Sequence, residues 1–588
     1  MPSVAYVVTC IIAFLTDLTG TVGNYISLGI SLLNNLPWSP FYPSKSNRPQ
    51  ANAPRVAIIG AGLNGIGAAA ACLASGVEVV IFEASDQIGG VWSRVNETSS
   101  LQFPSLFYRF HPLVGFRTQF PKRDEILDEA KRIYRLYDLH KRTRFNIRVR
   151  KVTPSSNSTW DVDGETFDGV ISAVGTCGPE NIPVWEGLSS FAGTKVHSAK
   201  MDTLQIPLQI PKGGLKYVVI GSGASAVEFV DYILNKIGPD NEGMLGFGPE
   251  KIEVTVLARH DKWMMPREPV IAWLSSVLPV DFGYLYEGFL RRFWYGHELR
   301  GMTPKRPFYA STPCLNPRFL QLIRTGKIRY VRGHIEAFDT TGVNVSVEWD
   351  SRSMIGKDSL LPNQRRTVHL SSDVVCCATG FKHPELTFID RKVWQGSNSN
   401  DEYKPPHLHL LMSSPSYPTL CFLNHTYVDG VATAAAFHTG MVTRTMLMYL
   451  LDTSTRPSTK EAADWISQRT AAISQKETSA RHYGLFPTGN RHKSSGGYDR
   501  WKEEGLRFMT YGEFCFWLIA SLATVNRWHW LPYILGWQSS KGSAAARDYV
   551  RPSSTVALKL LPTSEFLSPT DTVQADLKRR GISTILAA

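Results

Sequence analysis

The 588-residue sequence predicts an α/β protein with two Rossmann-type dinucleotide-binding domains, one inserted in the other. Three observations carry that expectation. Two segments are complete strand–turn–helix–strand units built on glycine-rich turns. A pair of buried strands, Phe167 to Pro179 and Val374 to Phe381, each runs into a glycine turn. Because these strands lie far apart in the chain and have the same form, they imply that one domain is interrupted by the other.

The first unit runs from Val56 to Glu83. Val56, Ile58 and Ile59 form a β-branched strand entering Gly60-x-Gly62-x-x-Gly65, Ala68 to Ala71 begin a small-residue helix, and Val77 to Phe82 form a second strand. Gly60 permits the tight turn, Gly62 lets a pyrophosphate approach the backbone at the positive end of the helix, and Gly65 lets helix and strand pack closely. Glu83, 23 residues after Gly60, stands where a carboxylate binds both hydroxyls of a ribose. The glycine spacing alone is a weak signal, since a merely structural turn also produces it; strand, helix and terminal acid together favour a dinucleotide. Gly89-Gly90-Val91-Trp92 then brings the backbone close to a cofactor, with the Trp92 indole covering one face of it. The competing reading of that tetrapeptide is a turn with a core tryptophan.

The second unit begins at Lys216 and turns through Gly221-x-Gly223-x-Ser225-Ala226, where alanine replaces the third glycine. Its second strand, Ile252 to Leu257, is delayed by an insertion and ends in Ala258-Arg259-His260 instead of an acid. An arginine there accommodates a 2′-phosphate that a carboxylate would repel, which points to NADPH and not NADH. Lys262 reads as an ordinary surface lysine before it reads as a phosphate contact. The two units thus have opposite polarity, the first suited to FAD and the second to NADPH.

Composition narrows the remaining possibilities. The net charge is +12, and basic residues crowd between Arg117 and Lys151 without an aromatic-interleaved nucleic-acid module, so a solvated helix face is favoured over a membrane-facing patch. No nucleic-acid partner is expected. Eight scattered cysteines without a CxxC fit a reducing compartment, neither a disulfide framework nor a metal site. Asn96, Asn157, Asn344 and Asn424 head N-x-S/T triplets that a cytosol-facing protein leaves unmodified. Residues 1–44 hold one charged side chain, Asp17, and the run Val4 to Leu15 is apolar apart from Thr9. A membrane-associated segment is favoured over a buried helix pair, with Lys45, Arg48 and Arg55 holding the body in the cytosol. Phe514 to Val525 is uncharged and followed by Trp528 and Trp530, which suits an interfacial helix or a lid on a substrate tunnel.

One further motif sets the family. Phe191-x-Gly193-x-x-x-His197, just ahead of the second unit, resembles the fingerprint of the class B flavin monooxygenases, which comprise flavin-containing monooxygenases and type I Baeyer–Villiger enzymes. The similarity extends through GGVW at 89–92, GSGASA at 221–226, Arg259 with Trp263 and Pro266, and ATGF at 378–381, and covers roughly residues 54–452. Among members, the chain looks most like membrane-associated fungal enzymes of secondary metabolism. Pyridine-nucleotide disulfide reductases share the double plan but require a redox cysteine pair near the first unit, and no cysteine lies between Cys72 and Cys177. Two positions depart from the family. Met201 stands where an aromatic residue is usual, and the stretch Leu101 to Phe107 has no asparagine, leaving Gln102 and Ser105 as hydrogen-bonding substitutes beside the flavin.

The resemblance implies that NADPH reduces FAD, that the reduced flavin activates O2, and that one oxygen atom passes to a lipophilic small molecule. It makes His197 a hinge or pyridine-nucleotide contact, the alternative being a buried, hydrogen-bonded linker histidine, and brings Thr379 and Gly380 to the cofactors. Asp429, ahead of a closing helix, would face the flavin's pyrimidine edge. The rival function is a catalytically degenerate membrane flavoprotein acting as an NADPH oxidase, sensor or scaffold. The expected organisation is an apolar segment 1–36, a linker 37–53, an FAD domain 54–212 resumed at 361–452, and an NADPH domain 213–360 with an aromatic-rich insertion 263–309. A helical connection 453–510, an apolar segment 511–537 and a tail 538–588 complete it. The insertion is rich in aromatics (Trp273, Tyr284, Tyr286, Phe289, Phe293), and Leu285, Phe289 and Phe293 have helical spacing, so core packing is the default, and an entrance to a lipophilic site is the alternative. Glycines 283, 288, 296 and 301 would let that insertion move.

Overall fold

The computed structural model describes residues 52–549 outside a number of internal stretches, the longest being 353–365, 394–407, 424–435 and 468–517. The chain opens with β1 (Arg55–Ile59), α1 (Leu63–Ala74) and β2 (Glu78–Phe82), followed by α2 (Arg123–Leu136) and the two-residue β3 (Thr143–Arg144). A small antiparallel meander, β4 (Val152–Pro154), β5 (Trp160–Val162) and β6 (Glu165–Phe167), leads into β7 (Gly169–Ser172). After β8 (Thr194–His197) comes the second unit, β9 (Leu215–Ile220), α3 (Ala224–Ile237) and β10 (Ile252–Ala258). Short strands β11 (Met264–Met265) and β12 (Cys314–Leu315) pair with each other around the insertion, which contains α4 (Gly283–Phe289). Then follow α5 (Phe319–Arg324), β13 (Arg329–Phe338), β14 (Gly342–Asp350), β15 (Arg366–Ser371), β16 (Val374–Cys377), β17 (Leu420–Phe422) and α6 (Ala436–Leu451).

Two sheets result. The first has the order β17-β7-β1-β2-β3 with every neighbouring pair parallel. Its central strand needs both faces covered, which is why β1 is a continuous buried run and not an alternating one. The glycines and alanines of α1 let that helix lie close to the sheet and to α6: a methyl on Gly67 would stand 2.3 Å from the Phe110 carbonyl oxygen and 3.2 Å from Thr439. The second sheet has the order β15-β14-β13-β10-β9-β16-β8. Its half from β10 to β8 is parallel, and β13 to β15 form an antiparallel edge.

This topology corrects the expected domain division. β8, β15 and β16, assigned from sequence to the first domain, all belong to the second sheet, and β16 lies between β9 and β8. A four-residue strand buried on both faces fits the middle of either parallel sheet, so its composition does not select one. The chain re-enters the first sheet only at β17, a three-residue strand that pairs with β7 and carries too little pattern to be read in advance.

The aromatic insertion is mostly core. Tyr295 is fully buried, Tyr286 and Trp294 are 8 % exposed, and Trp263, Tyr295, Phe308 and Tyr286 pack ring to ring with centroids 5.2–6.2 Å apart. Leu285 and Phe293 remain exposed. Gly301 passes close to Trp349, where only glycine fits: a methyl there would stand 2.1 Å from the indole nitrogen.

The later apolar segment docks against the first domain. Tyr533 meets Ser75 at 2.8 Å between hydroxyl oxygens, and half-buried Arg444 donates to the Ile534 carbonyl at 2.8 Å. Arg527 donates to the Thr455 carbonyl at 2.7 Å and to Glu461. Leu518, Leu522, Trp530 and Ile534 are buried, while Ile519, Val525 and Trp528 face outward. The apolar segment 1–36, residues 511–517, Asp429 and most of the tail lie outside the described residues. Among the described residues, no helix is long and apolar enough to cross a membrane.

Candidate nucleotide-binding sites

Both glycine-rich turns are built the same way. At the carboxyl end of β1, Gly60 has φ 107°, and a methyl on it would stand 2.7 Å from the carbonyl oxygen of Ala173, just after the neighbouring strand β7. At the carboxyl end of β9, Gly221 has φ 132°, and its methyl would stand 2.2 Å from the carbonyl oxygen of Ala378, just after the neighbouring strand β16. Each turn is wedged against the end of the next strand, and only glycine fits there. The two buried strands that run into glycine turns thus perform one task, in two different sheets.

In the first site, Gly62 caps α1 with no side chain bonded to the helix start and no acid in the first turn. Gly65 passes the turn so closely that a methyl on it would stand 1.9 Å from the Gly60 carbonyl oxygen. Gly90 packs opposite, with the position of its missing methyl 3.0 Å from the Gly62 Cα, and the Gly89 amide donates to the Ala61 carbonyl at 3.0 Å. Two glycine backbones therefore face each other beside a helix N-terminus whose amides no side chain claims, a cradle suited to a pyrophosphate. The Glu83 carboxylate is set at the mouth, accepting from the Ala61 amide at 2.6 Å and from the Ser85 amide and hydroxyl at 2.8 and 2.7 Å. Trp92 donates its indole proton to the Tyr108 hydroxyl at 2.6 Å, and the two rings meet edge to face.

The second site repeats the pattern with opposite charge. Gly223 caps α3, again without a side-chain cap or an acid in the first turn. Ala226 is fully buried, so the methyl that replaces the third glycine is accommodated in the packing. The Ser222 hydroxyl donates to the His260 carbonyl at 2.6 Å and fastens the turn to the end of β10, where Arg259 and His260 are exposed. Just after them, Asp261 turns inward, accepting from Tyr330 at 2.9 Å and pairing with Arg332. The acid two residues after Arg259 is thereby neutralised by Arg332. Lys262 reaches back over the turn, its Nζ 3.9 Å from where a Gly223 methyl would stand, which places it beside the turn.

The residues expected at the junction fall into separate places. His197 is 3 % exposed; its Nδ1 accepts from the Ala199 amide at 3.2 Å and its Nε2 donates to the Gly380 carbonyl at 3.0 Å. Those two bonds fix one neutral tautomer, and burial pushes its pKa below the usual histidine value. Both nitrogens are occupied, so His197 serves here as a strut between β8 and the turn after β16. Thr379 in that turn donates to the Asn181 carbonyl, and the Asn181 amide donates back to Gly380 at 2.9 Å. Gln102 accepts from the Leu315 amide at 3.3 Å, bridging the first domain to β12. Ser105 is 1 % exposed, with its hydroxyl bonded to nothing among the described residues.

Three residues escaped sequence reading. Tyr108 holds Trp92 in place. Asn96, visible from sequence only as the head of an N-x-S/T triplet, is buried and uses both ends of its amide on the linker, donating to the Ser198 carbonyl at 2.8 Å and accepting from the Asp202 amide at 3.2 Å. Glu228 on α3 is the third. Its position one turn into an amphipathic helix gave no sign that one of its carboxylate oxygens is buried.

Known proteins place this arrangement. The family profile described as FMO-like, flavin-binding monooxygenase-like, matches residues 53–348. Dimethylaniline monooxygenase (N-oxide-forming) 2 of Rattus norvegicus is 24 % identical over 392 residues, 60 % of this chain and 67 % of that protein. A Baeyer-Villiger monooxygenase of Streptomyces coelicolor is 27 % identical over 222 residues, which span 36 % of this chain and 39 % of that enzyme's length. Among solved structures, oxidised steroid monooxygenase bound to NADP superposes with a TM-score of 0.55 at 16 % identity, covering 79 % of this chain and 96 % of that one. At that identity the likeness concerns the fold.

Proposed function

Because the chain belongs to the flavin-binding monooxygenase-like family, we propose that it is an NADPH-dependent flavoprotein monooxygenase that passes one atom of O2 to a lipophilic small molecule. FAD and NADPH are its cofactors. The observation that carries the assignment of each to its site is the pair of matched glycine turns whose second strands end in opposite charges, Glu83 in one and Arg259 in the other. The flavin, when bound, supplies hydride acceptance and O2 activation, chemistry that no side chain provides.

The protein's own residues bind, orient and exclude water. The first-turn amides of α1, with Gly62 and Gly90 leaving room beside them, would hold the FAD pyrophosphate, and Glu83 has lone pairs left for ribose hydroxyls beyond those used on Ala61 and Ser85. The first-turn amides of α3 do the same for NADPH, with Arg259 on the 2′-phosphate. His197 fastens the end of β8 to the Gly380 turn and so holds the rim of the second sheet beside its nucleotide site.

The substrate class we favour is a secondary metabolite such as a polyketide, oxidised by epoxidation, heteroatom oxidation or Baeyer–Villiger insertion. Leu285 and Phe293, exposed on the aromatic insertion, support an apolar approach to the site. We place the protein on a membrane, the endoplasmic reticulum in particular, with its catalytic domains in the cytosol. Support comes from the apolar character of residues 1–36 and from the exposed Ile519, Val525 and Trp528.

The test is isotopic. Purified yellow protein is supplied with NADPH, 18O2 and a panel of lipophilic ketones, sulfides and alkenes, and the products are weighed by mass spectrometry. One 18O per product, coupled to NADPH consumption, is the expected result. Hydrogen peroxide equal to the NADPH consumed, with no labelled product from any substrate, would favour the rival oxidase or scaffold reading.

A further inference from the structure

A hydrogen-bonded seam joins the two domains along α3. On the first-domain side lie residues 96–102; on the other lie α3 and the segments around β11 and β12, with the linker 198–204 alongside. Arg267, just after β11, donates to the Ser100 hydroxyl at 2.6 Å and the Leu101 carbonyl at 2.7 Å, with its guanidinium 4.6 Å over the Phe120 ring. Lys236 of α3 pairs with Glu97 at 2.9 Å, and Tyr232 donates to the Leu204 carbonyl at 2.7 Å. Asn316 donates to Asp231 at 2.7 Å.

Several buried polar atoms in this seam are unsatisfied, among them the Ser99 hydroxyl. The Oε1 of Glu228 is buried and bonded to nothing among the described residues, and the Nε of Arg267 is likewise buried and unbonded. The groups that act on Glu228 come from each neighbouring element: Ser99 of the first domain, Asp202 of the linker, Asp231 of α3 itself and Arg267 after β11. Two of these are acids; Arg267 spends its Nη2 on Ser100 and Leu101, and neither its Nε nor the Ser99 hydroxyl makes a hydrogen bond to the carboxylate. With its neighbouring donors unengaged and two acids beside it, an ionised carboxylate is poorly served in the closed seam, whereas a neutral carboxylic acid needs far less.

We infer that Glu228 is a positioning residue: as an uncharged acid it lets the two nucleotide-binding domains close against each other, and its ionisation loosens the seam. The proton goes to solvent, and nothing else is exchanged. This rests on the proposed reaction to the extent that hydride transfer between two sites requires their domains to be held in register.

The electrostatics agree in direction. Burial pushes the Glu228 pKa up to about 7, helped by Asp231 and Asp202 and opposed by Ser99 and Arg267. A carboxyl whose pKa is raised by closure favours the closed state at low pH. That preference declines from about pH 4.5 upward and levels off once the pH passes about 7.

Amide hydrogen exchange on the full-length, flavin-loaded protein tests this without turnover. Protection of residues 96–102 and 198–204, corrected for intrinsic exchange, is expected to fall about tenfold between pH 6 and pH 8 in the wild type. In Glu228→Gln, which keeps the shape and cannot ionise, the same protection is expected to stay flat. The rate of flavin reduction by NADPH should follow the same two profiles. Flat protection in the wild type, or a Glu228→Gln protein that follows the wild type, overturns the inference. Should Glu228→Gln fail to fold, infrared difference spectra of the wild type decide, since a carboxyl must lose its proton between pH 6 and pH 8. Because exchange and infrared measurements need no reaction, failure of the monooxygenase reading would show separately, as absence of NADPH-driven flavin reduction.

Discussion

Gly60 and Gly62 stand two residues apart and should fail in different ways when a methyl is added. Gly60 has φ 107° and no room, since the methyl would sit 2.7 Å from the Ala173 carbonyl oxygen. Gly62 has φ −70°, and its methyl would meet Gly90 at an ordinary 3.6 Å. Gly60→Ala is therefore expected to yield insoluble protein, and Gly62→Ala a folded but colourless one, because its methyl occupies the cradle without straining the turn. Circular dichroism and the flavin-to-protein absorbance ratio distinguish the outcomes; a yellow Gly62→Ala protein would sink the cradle assignment. Arg259 is exposed and its charge is available to a ligand. Charge-assisted hydrogen bonds of about 1.5–3 kcal/mol make Arg259→Ala raise KM for NADPH roughly 10- to 100-fold while leaving KM for NADH unchanged. Equal losses with both nucleotides would remove Arg259 from the 2′-phosphate. These residues were legible in the sequence because a tight turn and a charge at a strand end leave fixed spacings. Tyr108, Asn96 and Glu228 leave none, since each acts through a partner remote in the chain.

At the scale of the element, the linker strut carries the next prediction. His197 gives up two hydrogen bonds on substitution, so His197→Ala is expected to lower stability by about 1–3 kcal/mol in denaturant unfolding. The pH dependence has a definite sign. Burial holds His197 below its usual pKa and, more strongly, His111 to about 3 and His409 to about 4. At these three histidines the folded protein thus binds fewer protons than the unfolded chain, and their contribution is complete above the unfolded value near 6.5 and lost as the pH falls below it, opposite in sign to that of Glu228. Thermal midpoints measured from pH 8 to pH 5 should fall, and His197→Ala should shallow that slope; an unchanged slope would place the histidine's titration elsewhere. The C-terminal apolar segment shows what element-level reading leaves open. Its uncharged run is clear in the sequence, yet only packing divides Leu518, Leu522 and Trp530, turned into the protein, from Ile519, Val525 and Trp528, turned outward.

For the whole molecule, that outward set bears on membrane association. Large apolar side chains on a docked segment gain stability when they leave water, so the full chain is expected to float with anionic lipid vesicles. Val525→Ser combined with Trp528→Ser should reduce flotation several-fold without altering flavin content. If the double variant floats like the wild type, this face does not contact lipid. The division of the molecule into domains is a second whole-molecule property, and there the strand pairing moved β8, β15 and β16 out of the first domain.

The residues themselves determined that two nucleotide folds exist, which charge each presents and which family they resemble, because those properties depend on short-range geometry: a turn that only glycine allows, a strand whose end carries one charge. Only the tertiary structure decided which sheet the two look-alike strands join, that His197 spends both nitrogens on the backbone, and that Glu228 is enclosed between domains. Pairing and burial are set by groups distant in the chain, and a local pattern holds no record of them.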